Sequence, residues 1–248
     1  MAEPILNGTG LTKRFGGVTA LNGVDFRLEP GECLALAGDN GAGKSTMIKV
    51  ISGVFAADEG RLNYKGKPTR FANPKQARAE GIETIYQDLA LADNLDTGEN
   101  VFLGREPERK LFGLLPAIDR RAMREAADEV LETLDIDIEP AKLKQPVRNL
   151  SGGQRQAVAI GRAIYWNAEV LIMDEPTAAL GVPEQRKVME LIHRLKDRGV
   201  AILFVSHNLG DIFQVADRIL VLRRGIKAGE RRRDETDADD LVRLMVGG

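Results

Sequence analysis

Short apolar runs alternate with helical periodicity in the second half of the chain. Apolar residues fill 170–173, 200–205 and 219–222. Between the first two runs, apolar residues over 188–195 recur on one helix face, and Pro183 can take the first helical position. Apolar strands that alternate with helices predict a parallel sheet that is covered on both faces.

The first 37 residues have a different pattern, in which extended runs are broken by turn pairs. These pairs lie at 16–17, 22–23 and 30–31 and contain glycine. The pattern predicts an antiparallel sheet that ends in the strand 32–37. A glycine-rich loop and a helical run over 46–51 follow directly, so strand, loop and helix are consecutive.

The middle of the chain is predicted to be helical. Asp119 is a good N-cap for a helix whose apolar residues run from Ala122 to Leu134. A second helix is expected over 151–165. We interpret residues 88–163 as a helical insertion within an α/β domain.

Composition narrows the functional classes. The 248 residues are 43% hydrophobic, which is enough for a buried core, and the formal net charge is −2. No bulk positive field favours nucleic acid or anionic lipid, and no apolar run approaches the roughly 20 residues of a membrane span. The N-terminus lacks the pattern of a signal peptide, and the single cysteine, Cys33, lies in an apolar strand. We therefore expect a soluble intracellular protein without a disulfide.

Residues 38–45 match the phosphate-loop pattern G-x-x-x-x-G-K-[ST]. The loop consists of Gly38, Asp39, Asn40, Gly41, Ala42, Gly43, Lys44 and Ser45, and Thr46 follows it. Glycines let backbone N–H groups converge on phosphate oxygens at the positive end of the next helix. Lys44 is placed to reach the β- and γ-phosphates, and the Ser45 hydroxyl to bind Mg²⁺.

Polar residues follow three further apolar strands. Asp174 and Glu175 end one strand, Gln87 follows 82–86, and His207 follows 200–205 and Ser206. Asp174 could hold Mg²⁺, and Glu175 could orient and deprotonate a water molecule. The combination predicts hydrolysis of a nucleoside triphosphate.

Residues 150–154 form a second candidate anion site. Ser151 can cap a helix, Gly152 and Gly153 expose N–H groups beside its positive end, and Gln154 completes the run. One bound nucleotide does not ordinarily need both a phosphate loop, such as 38–45, and a second anion site, such as 150–154, which we call the cap. Two copies arranged head to tail would let each cap close on the ATP of the other copy.

These motifs closely resemble those of the ATP-binding cassette (ABC) ATPases, in family order and over almost the whole chain. The resemblance implies a P-loop NTPase of the α/β class, with a RecA-like and mostly parallel core, an N-terminal antiparallel β subdomain and an inserted α-helical subdomain. It implies one domain over 1–248, in which 1–87 and 164–248 form the core and 88–163 the helical part. ATP and Mg²⁺ are the implied cofactors.

The resemblance also implies roles for individual residues. Phe15 is the aromatic that stacks on adenine, and Gln87 senses Mg²⁺ and water. Ser151 and Gly153 contact the γ-phosphate across the dimer, while His207 contacts it within its own subunit. Lys44 and Glu175 complete the catalytic set.

One position departs from the family pattern. An Asp usually follows the Ala-Leu pair after the catalytic Glu, but here Gly181 follows Leu180. Since that carboxylate normally communicates across the dimer, the coupling between the two ATP sites is in question. Glu175 and His207 are present, so hydrolysis is still expected.

Four segments, 86–91, 100–106, 175–181 and 241–247, are similar to those of bacterial sugar importers of the ribose, xylose and fructose type, most closely the single-cassette fructose importers. The implied partners are a second copy of the chain, membrane permease subunits and, indirectly, a periplasmic or exported sugar-binding protein. No nucleic acid is expected. The implied location is the cytoplasmic face of the inner membrane, as a peripheral subunit.

Other functions stay open at this point. The chain could serve an amino-acid or polyol importer, or, against its balanced charge, act as a soluble regulator on nucleic acid or ribosomes. The permease is expected to dock near 87–91, in a groove between the core and the insertion. The apolar stretch 111–115 is interpreted as a loop that folds onto the insertion.

Overall fold

The computed structural model describes residues 3–111, 115–136, 138–178 and 180–247, with Lys110 and Leu111 described by their backbone alone. The chain divides into two compact units. One contains Met1–Gln87, Ala168–Pro176 and Ile192–Gly248, and the other contains Asp88–Asn167 and Thr177–Leu191.

The strands and helices are numbered in chain order. The strands are β1 (Leu6–Phe15), β2 (Val18–Leu28), β3 (Cys33–Ala37), β4 (Glu59–Tyr64), β5 (Lys67–Thr69), β6 (Ile82–Ile85), β7 (Glu108–Leu111), β8 (Leu115–Ile118), β9 (Val170–Asp174), β10 (Ala201–Val205), β11 (Arg218–Arg223) and β12 (Ile226–Arg232). The helices are α1 (Lys44–Ile51), α2 (Pro74–Ala79), α3 (Thr97–Val101), α4 (Arg120–Thr133), α5 (Pro140–Leu143), α6 (Gly152–Tyr165), α7 (Val182–Asp197), α8 (Leu209–Val215) and α9 (Ala238–Val246).

The first unit is built on a mostly parallel sheet with the order β12-β11-β3-β10-β9-β6. Neighbouring strands are parallel except for the β11–β12 pair. Every residue of β3 and β10 is buried, as a sheet covered on both faces requires. The predicted parallel sheet is therefore confirmed.

The first unit also contains an antiparallel sheet with the order β2-β1-β4-β5. The predicted turn at Gly16 and Gly17 joins β1 to β2, where Phe15 faces Val18. The predicted turn at 22–23 is wrong, because β2 continues through these residues. The register slips there, and Gly23 takes a left-handed φ of 65°.

The expectation that this antiparallel sheet ends in the strand 32–37 is also wrong. The strand, β3, lies between β11 and β10 in the parallel sheet. All five of its residues are buried, and a strand with two buried faces fits a covered parallel sheet better than a half-exposed antiparallel one.

The second unit contains the predicted helices α4 and α6. Asp119 caps α4 by accepting a hydrogen bond from the backbone N–H of Ala122, as predicted. The hairpin β7–β8 within this unit was not anticipated. Of the apolar stretch 111–115, residues 112–114 lie outside the described residues, and Leu115 is 61% exposed rather than packed.

None of the helices in the described ranges is both long enough and apolar enough to span a membrane.

Candidate nucleotide site

Four parallel strands end at one edge of the large sheet. The strands β3, β10, β9 and β6 are neighbours in that order, and Val205 in β10 pairs with Asp174 in β9. The polar segments that follow these strands therefore start along the same edge, where open α/β sheets bind ligands.

The sequence places a predicted site residue after each of these strands. Gly38 follows β3, His207 lies just after β10, Glu175 follows β9 and Gln87 lies just after β6. Gln87 is exposed. The structure thus gathers the four predicted polar segments of the first unit at one edge of its sheet.

The loop after β3 requires glycine at two positions. Gly38 has φ +148°, and a Cβ atom there would lie 2.4 Å from the carbonyl oxygen of Leu222. Gly43 has φ +110°, and its Cβ would lie 2.7 Å from the carbonyl oxygen of Ala20. Both the backbone conformation and the close neighbours exclude side chains, so the glycines shape the loop.

Lys44 lies inside the curve of this loop. Its ammonium donates hydrogen bonds to the carbonyl oxygens of Gly38 at 2.6 Å and Asp39 at 3.2 Å. The residue is 9% exposed, so its charge is held close to the loop backbone. A lysine in this position can donate charge-assisted hydrogen bonds to a phosphate group bound in the loop.

The helix α1 begins at Lys44 without a side-chain cap. Its first N–H groups are therefore available to an anion at the positive end of the helix. Ser45 is exposed and Thr46 half-buried beside them. The remaining loop residues Asp39, Asn40 and Gly41 are exposed, while Ala42 is buried and accepts a hydrogen bond from Gly225.

Glu175 is held in an unusual backbone conformation. Its φ is +52°, in the left-handed region that residues other than glycine rarely occupy, and its N–H donates to the carbonyl oxygen of Val205 at 2.8 Å. Strained residues of this kind occur at functional sites. The bond to Val205 fixes the point from which the Glu175 side chain leaves the sheet.

Two neighbouring side chains contact the Glu175 carboxylate. His207 Nδ1 lies 2.9 Å from Oε1, and the hydroxyl of Ser206 donates to Oε2 at 3.4 Å. An ionised carboxylate only accepts hydrogen bonds, so the Nδ1 of His207 carries the proton in this pair. A carboxylate paired with a histidine at a sheet edge can act in proton transfer.

Asp174 is a second, differently placed carboxylate. Burial and the negative charge of Glu175 raise the pKa of Asp174, and the nearby Lys44 lowers it. A half-buried carboxylate beside another carboxylate favours a cation as its partner.

The donor set at this edge suits Mg²⁺. Ser45 offers a hydroxyl oxygen, Gln87 an amide oxygen and Asp174 a carboxylate, all of them hard oxygen ligands. No cluster of three or more His, Cys, Asp or Glu side chains that could hold a metal occurs within the described ranges. Mg²⁺ is usually held by one or two carboxylates together with substrate phosphates, so these residues fit the ion.

Phe15 lies at the end of β1 and is 42% exposed. Its ring contacts Phe55 edge to face at a centroid distance of 5.1 Å, and the ammonium of Lys13 lies 5.5 Å from the ring centroid. The exposed ring can stack on a flat ligand such as a nucleobase.

The second unit contains the predicted cap at residues 150–154. The Ser151 hydroxyl accepts from the N–H of Gln154, and the Gln154 side chain accepts from the N–H of Ser151. Ser151 thus caps α6 as predicted, in a reciprocal capping box. Ser151 and Gly152 are exposed at this helix end.

The glycines of this cap are required by neighbours in the same unit. A Cβ atom on Gly152 would lie 2.8 Å from the side chain of Leu180, and one on Gly153 would lie 2.9 Å from Cβ of Glu184. A Cβ on Gly181 would lie 2.8 Å from Oε2 of Glu184. The Glu184 side chain therefore extends from Gly153 to Gly181.

Sequence reasoning did not identify Ser206 or Glu184 as parts of these sites. Ser206 is a polar residue between a fully apolar strand and His207, and this position could have marked it. Nothing in the sequence pattern indicates the contacts of Glu184, because they depend on how α7 packs beside α6.

A family model described as "ABC transporter" matches residues 21–178, more than half of the chain. The chain belongs to the ABC transporter family. As an ABC cassette it is an ATP-binding domain and an ATPase, and the resemblance drawn from its motifs is confirmed.

Two curated ABC proteins are similar over nearly their whole length. The fructose import ATP-binding protein FrcA of Rhizobium meliloti is 48% identical over 99% of this chain and 95% of its own length. The xylose/arabinose import ATP-binding protein XylG of Sulfolobus acidocaldarius is 47% identical over 94% of this chain and 90% of its own length.

Solved ABC cassettes have the same fold. The ADP conformation of MJ1267, an ATP-binding cassette of an ABC transporter, has a TM-score of 0.84 at 27% identity, and all of both chains is covered. A dimeric post-hydrolysis cassette, MJ0796 bound to ADP and Pi, has a TM-score of 0.75 at 27% identity and covers 92% of this chain and 98% of its own. The predicted P-loop NTPase fold is therefore confirmed.

Proposed function

We propose that this ABC ATPase powers a bacterial sugar importer and dimerises head to tail around two Mg·ATP. The observation that supports hydrolysis most directly is the Glu175–His207 pair, which lies at the sheet edge that also begins the phosphate loop. Import of a sugar is supported by the similarity to import proteins for fructose and for xylose or arabinose, at 48% and 47% identity.

The whole of 1–248 acts as one ATPase domain, with 1–87 and 164–248 as its core and 88–163 as its helical part. The permease docks near 87–91, directly after Gln87.

ATP binds along the carboxyl edge of the large sheet. Phe15 stacks on adenine, and the backbone N–H groups of 38–46 surround the phosphates. Lys44 exchanges its contacts with the carbonyl oxygens of Gly38 and Asp39 for oxygens of the β- and γ-phosphates. Charge-assisted hydrogen bonds of this kind are among the strong ones in proteins.

Ser45, Gln87 and Asp174 would hold Mg²⁺. When bound, the ion neutralises charge on the phosphate oxygens. A bound cation would also favour the charged form of Asp174, whose pKa is raised by burial and by the neighbouring charge of Glu175.

Glu175 is the general base. It accepts a proton from a water molecule whose oxygen attacks the γ-phosphorus. The bond from that phosphorus to the β–γ bridging oxygen breaks, and ADP leaves with the electron pair. His207 orients Glu175 and contacts the γ-phosphate, as it is exposed enough to do: its side chain is 71% exposed, against 16% for Glu175.

The cap at Ser151 acts in the other copy of the dimer. Ser151, Gly152, Gly153 and Gln154 present the positive end of α6 to the γ-phosphate that the second copy binds. ADP lacks the γ-phosphate, so the dimer loosens after hydrolysis. ATP binding thereby closes the dimer and hydrolysis opens it. This cycle switches the attached permease between its conformations.

The chain acts as a peripheral subunit on the cytoplasmic face of the inner membrane. Its partners are a second copy, permease subunits and, indirectly, an exported sugar-binding protein.

Glu175→Gln tests the function. The purified variant should bind Mg·ATP, form a stable dimer and lose hydrolysis by about 10²–10⁴-fold, since the general base is removed. Glu169→Gln is a matched control, because Glu169 forms an exposed ion pair with Lys65 at the opposite end of β9. A Glu175→Gln variant that hydrolyses ATP at the wild-type rate would remove Glu175 from this role.

Transport is tested with the tagged Glu175→Gln chain, recovered with Mg·ATP from detergent-solubilised membranes of the source cells. A permease that co-purifies is reconstituted with the wild-type chain and its binding protein in liposomes. ATP-dependent uptake of labelled fructose, xylose or ribose, with none for amino acids, is expected. Uptake of amino acids or polyols alone would overturn the sugar assignment, and recovery only with soluble ribosomes or nucleic acid would overturn transport.

A further inference from the structure

Ser206 is a buried hydroxyl next to the Glu175–His207 pair. It directly follows β10 and has no exposed surface. Its Oγ accepts a hydrogen bond from the backbone N–H of Asn208 at 3.0 Å. Since Oγ is the acceptor in this bond, the hydroxyl proton of Ser206 can point elsewhere.

The acceptor for that proton is Glu175 Oε2, at 3.4 Å. The two oxygens of the Glu175 carboxylate therefore have different donors, His207 on Oε1 and Ser206 on Oε2. Both donors follow the same strand, β10, and the backbone N–H of Glu175 is bonded to Val205, the last residue of that strand.

The two donors differ in their freedom to move. The side chain of His207 is 71% exposed, whereas Ser206 is fully buried and fixed by Asn208. During hydrolysis His207 also contacts the γ-phosphate, so its contact with Glu175 changes during the cycle. The contact from Ser206 can persist throughout.

We propose that Ser206 is a positioning residue, which holds Oε2 of Glu175 so that Oε1 stays aimed at the attacking water when His207 turns to the γ-phosphate. This rests on the proposed function of Glu175 as general base. The left-handed φ of +52° at Glu175 is consistent with this role, because a strained backbone position persists where its surroundings fix it.

The test begins with Ser206→Ala in the purified full-length chain. We expect kcat for ATP hydrolysis to fall about tenfold, the effect of losing one hydrogen bond to a charged group, while KM for ATP changes less than about twofold. Ser206→Thr keeps the hydroxyl and should recover most of kcat. Ser52→Ala is the matched control, because Ser52 is also buried and its hydroxyl donates to the carbonyl oxygen of Lys49.

A second measurement separates this role from a displacement of the loop 206–208. Ser206→Ala is combined with Glu175→Gln, and the Mg·ATP-dependent dimer is quantified by size-exclusion chromatography. A residue that acts through Glu175 leaves the amount of dimer unchanged in this background, and thermal unfolding within about 2 °C of Ser52→Ala shows that the fold is intact.

The outcomes are distinct. Wild-type kcat in Ser206→Ala, or loss of the dimer in the double variant, overturns the positioning role while the proposed function stands. A wild-type chain that hydrolyses no ATP overturns both. A tenfold fall in kcat with recovery by threonine and an unchanged dimer supports the role.

Discussion

The carboxylate of Glu184 lies where a side chain at residue 181 would begin, with Oε2 2.8 Å from the Cβ position of Gly181. The family pattern has an Asp at this position. Here the nearby negative charge comes from a residue three positions along the chain, in the first turn of α7. A carboxylate therefore lies next to the backbone at 181 although residue 181 is glycine.

Gly181→Asp should be tolerated. Gly181 has no left-handed φ, and the close atom is the flexible end of a side chain that can move aside. We expect a melting temperature within about 2 °C of wild type, measured by calorimetry.

Gly38→Ala is the contrasting variant. Its Cβ would lie 2.4 Å from a backbone oxygen at φ +148°, so we expect a loss of roughly 3 kcal/mol or more in the free energy of unfolding, or no folded protein. Similar stability of the two variants would contradict the argument from close contacts.

Lys44→Ala should weaken ATP binding. The ammonium is already held in the phosphate loop, and its loss removes charge-assisted bonds to two phosphates, so Kd should rise about 10- to 100-fold. Titration with a fluorescent ATP analogue measures the change. Lys67→Ala, on the exposed strand β5, serves as the control and should leave Kd unchanged.

Gly153→Ala should impair the dimer rather than nucleotide binding. The added Cβ would meet Glu184 at 2.9 Å and push α6 and the first turn of α7 apart, which distorts the cap. In the Glu175→Gln background, the ATP-dependent dimer should fall about tenfold or more while ATP still binds the monomer. Gly17→Ala is the control, because nothing lies within 4 Å of the added atom. An equal amount of ATP-dependent dimer in the Gly153→Ala and Gly17→Ala variants would argue against a role of the cap in the dimer.

Asp174→Asn should stabilise the nucleotide-free chain at neutral pH. Burial and Glu175 raise the folded-state pKa of Asp174 above its unfolded value, so the folded state favours the protonated form. Protonated Asp174 therefore stabilises the folded state. This contribution to the free energy of unfolding is fully present below the pKa of Asp174 in the unfolded chain, and it is lost as pH rises through the pKa of Asp174 in the folded chain.

The melting temperature of Asp174→Asn should therefore exceed that of wild type at pH 7, without Mg²⁺, and the difference should vanish below the unfolded pKa of about 4. A constant difference at all pH values would mean that packing, rather than the charge of Asp174, is responsible.

The sequence predicted the elements that carry a local signal. The phosphate loop, the Ser151 cap and the polar residues after β6, β9 and β10 all follow from residue types at fixed positions in the chain. The gathering of the residues after β6, β9 and β10 at one sheet edge followed from the predicted parallel order of these buried strands.

The sequence could not assign β3 to its sheet or anticipate the hairpin β7–β8. Strand order depends on long-range pairing, as when Cys33 faces Ile202, and no short-range pattern encodes it. The contacts of Ser206 with Glu175 and of Glu184 with Gly153 were missed for the same reason, since each joins residues that are distant in the chain.

The contacts of Lys44 in the loop also bear on ligand selection. Because the ammonium already has two carbonyl partners, a ligand must compete with satisfied hydrogen bonds rather than fill an empty place. A compact anion with few charges gains little from this exchange, whereas a polyphosphate offers several oxygens at once. The preformed loop thus disfavours binding of nucleoside monophosphates and free phosphate. Because the loop is already ordered, ligand binding does not cost the conformational entropy of ordering it on each turnover.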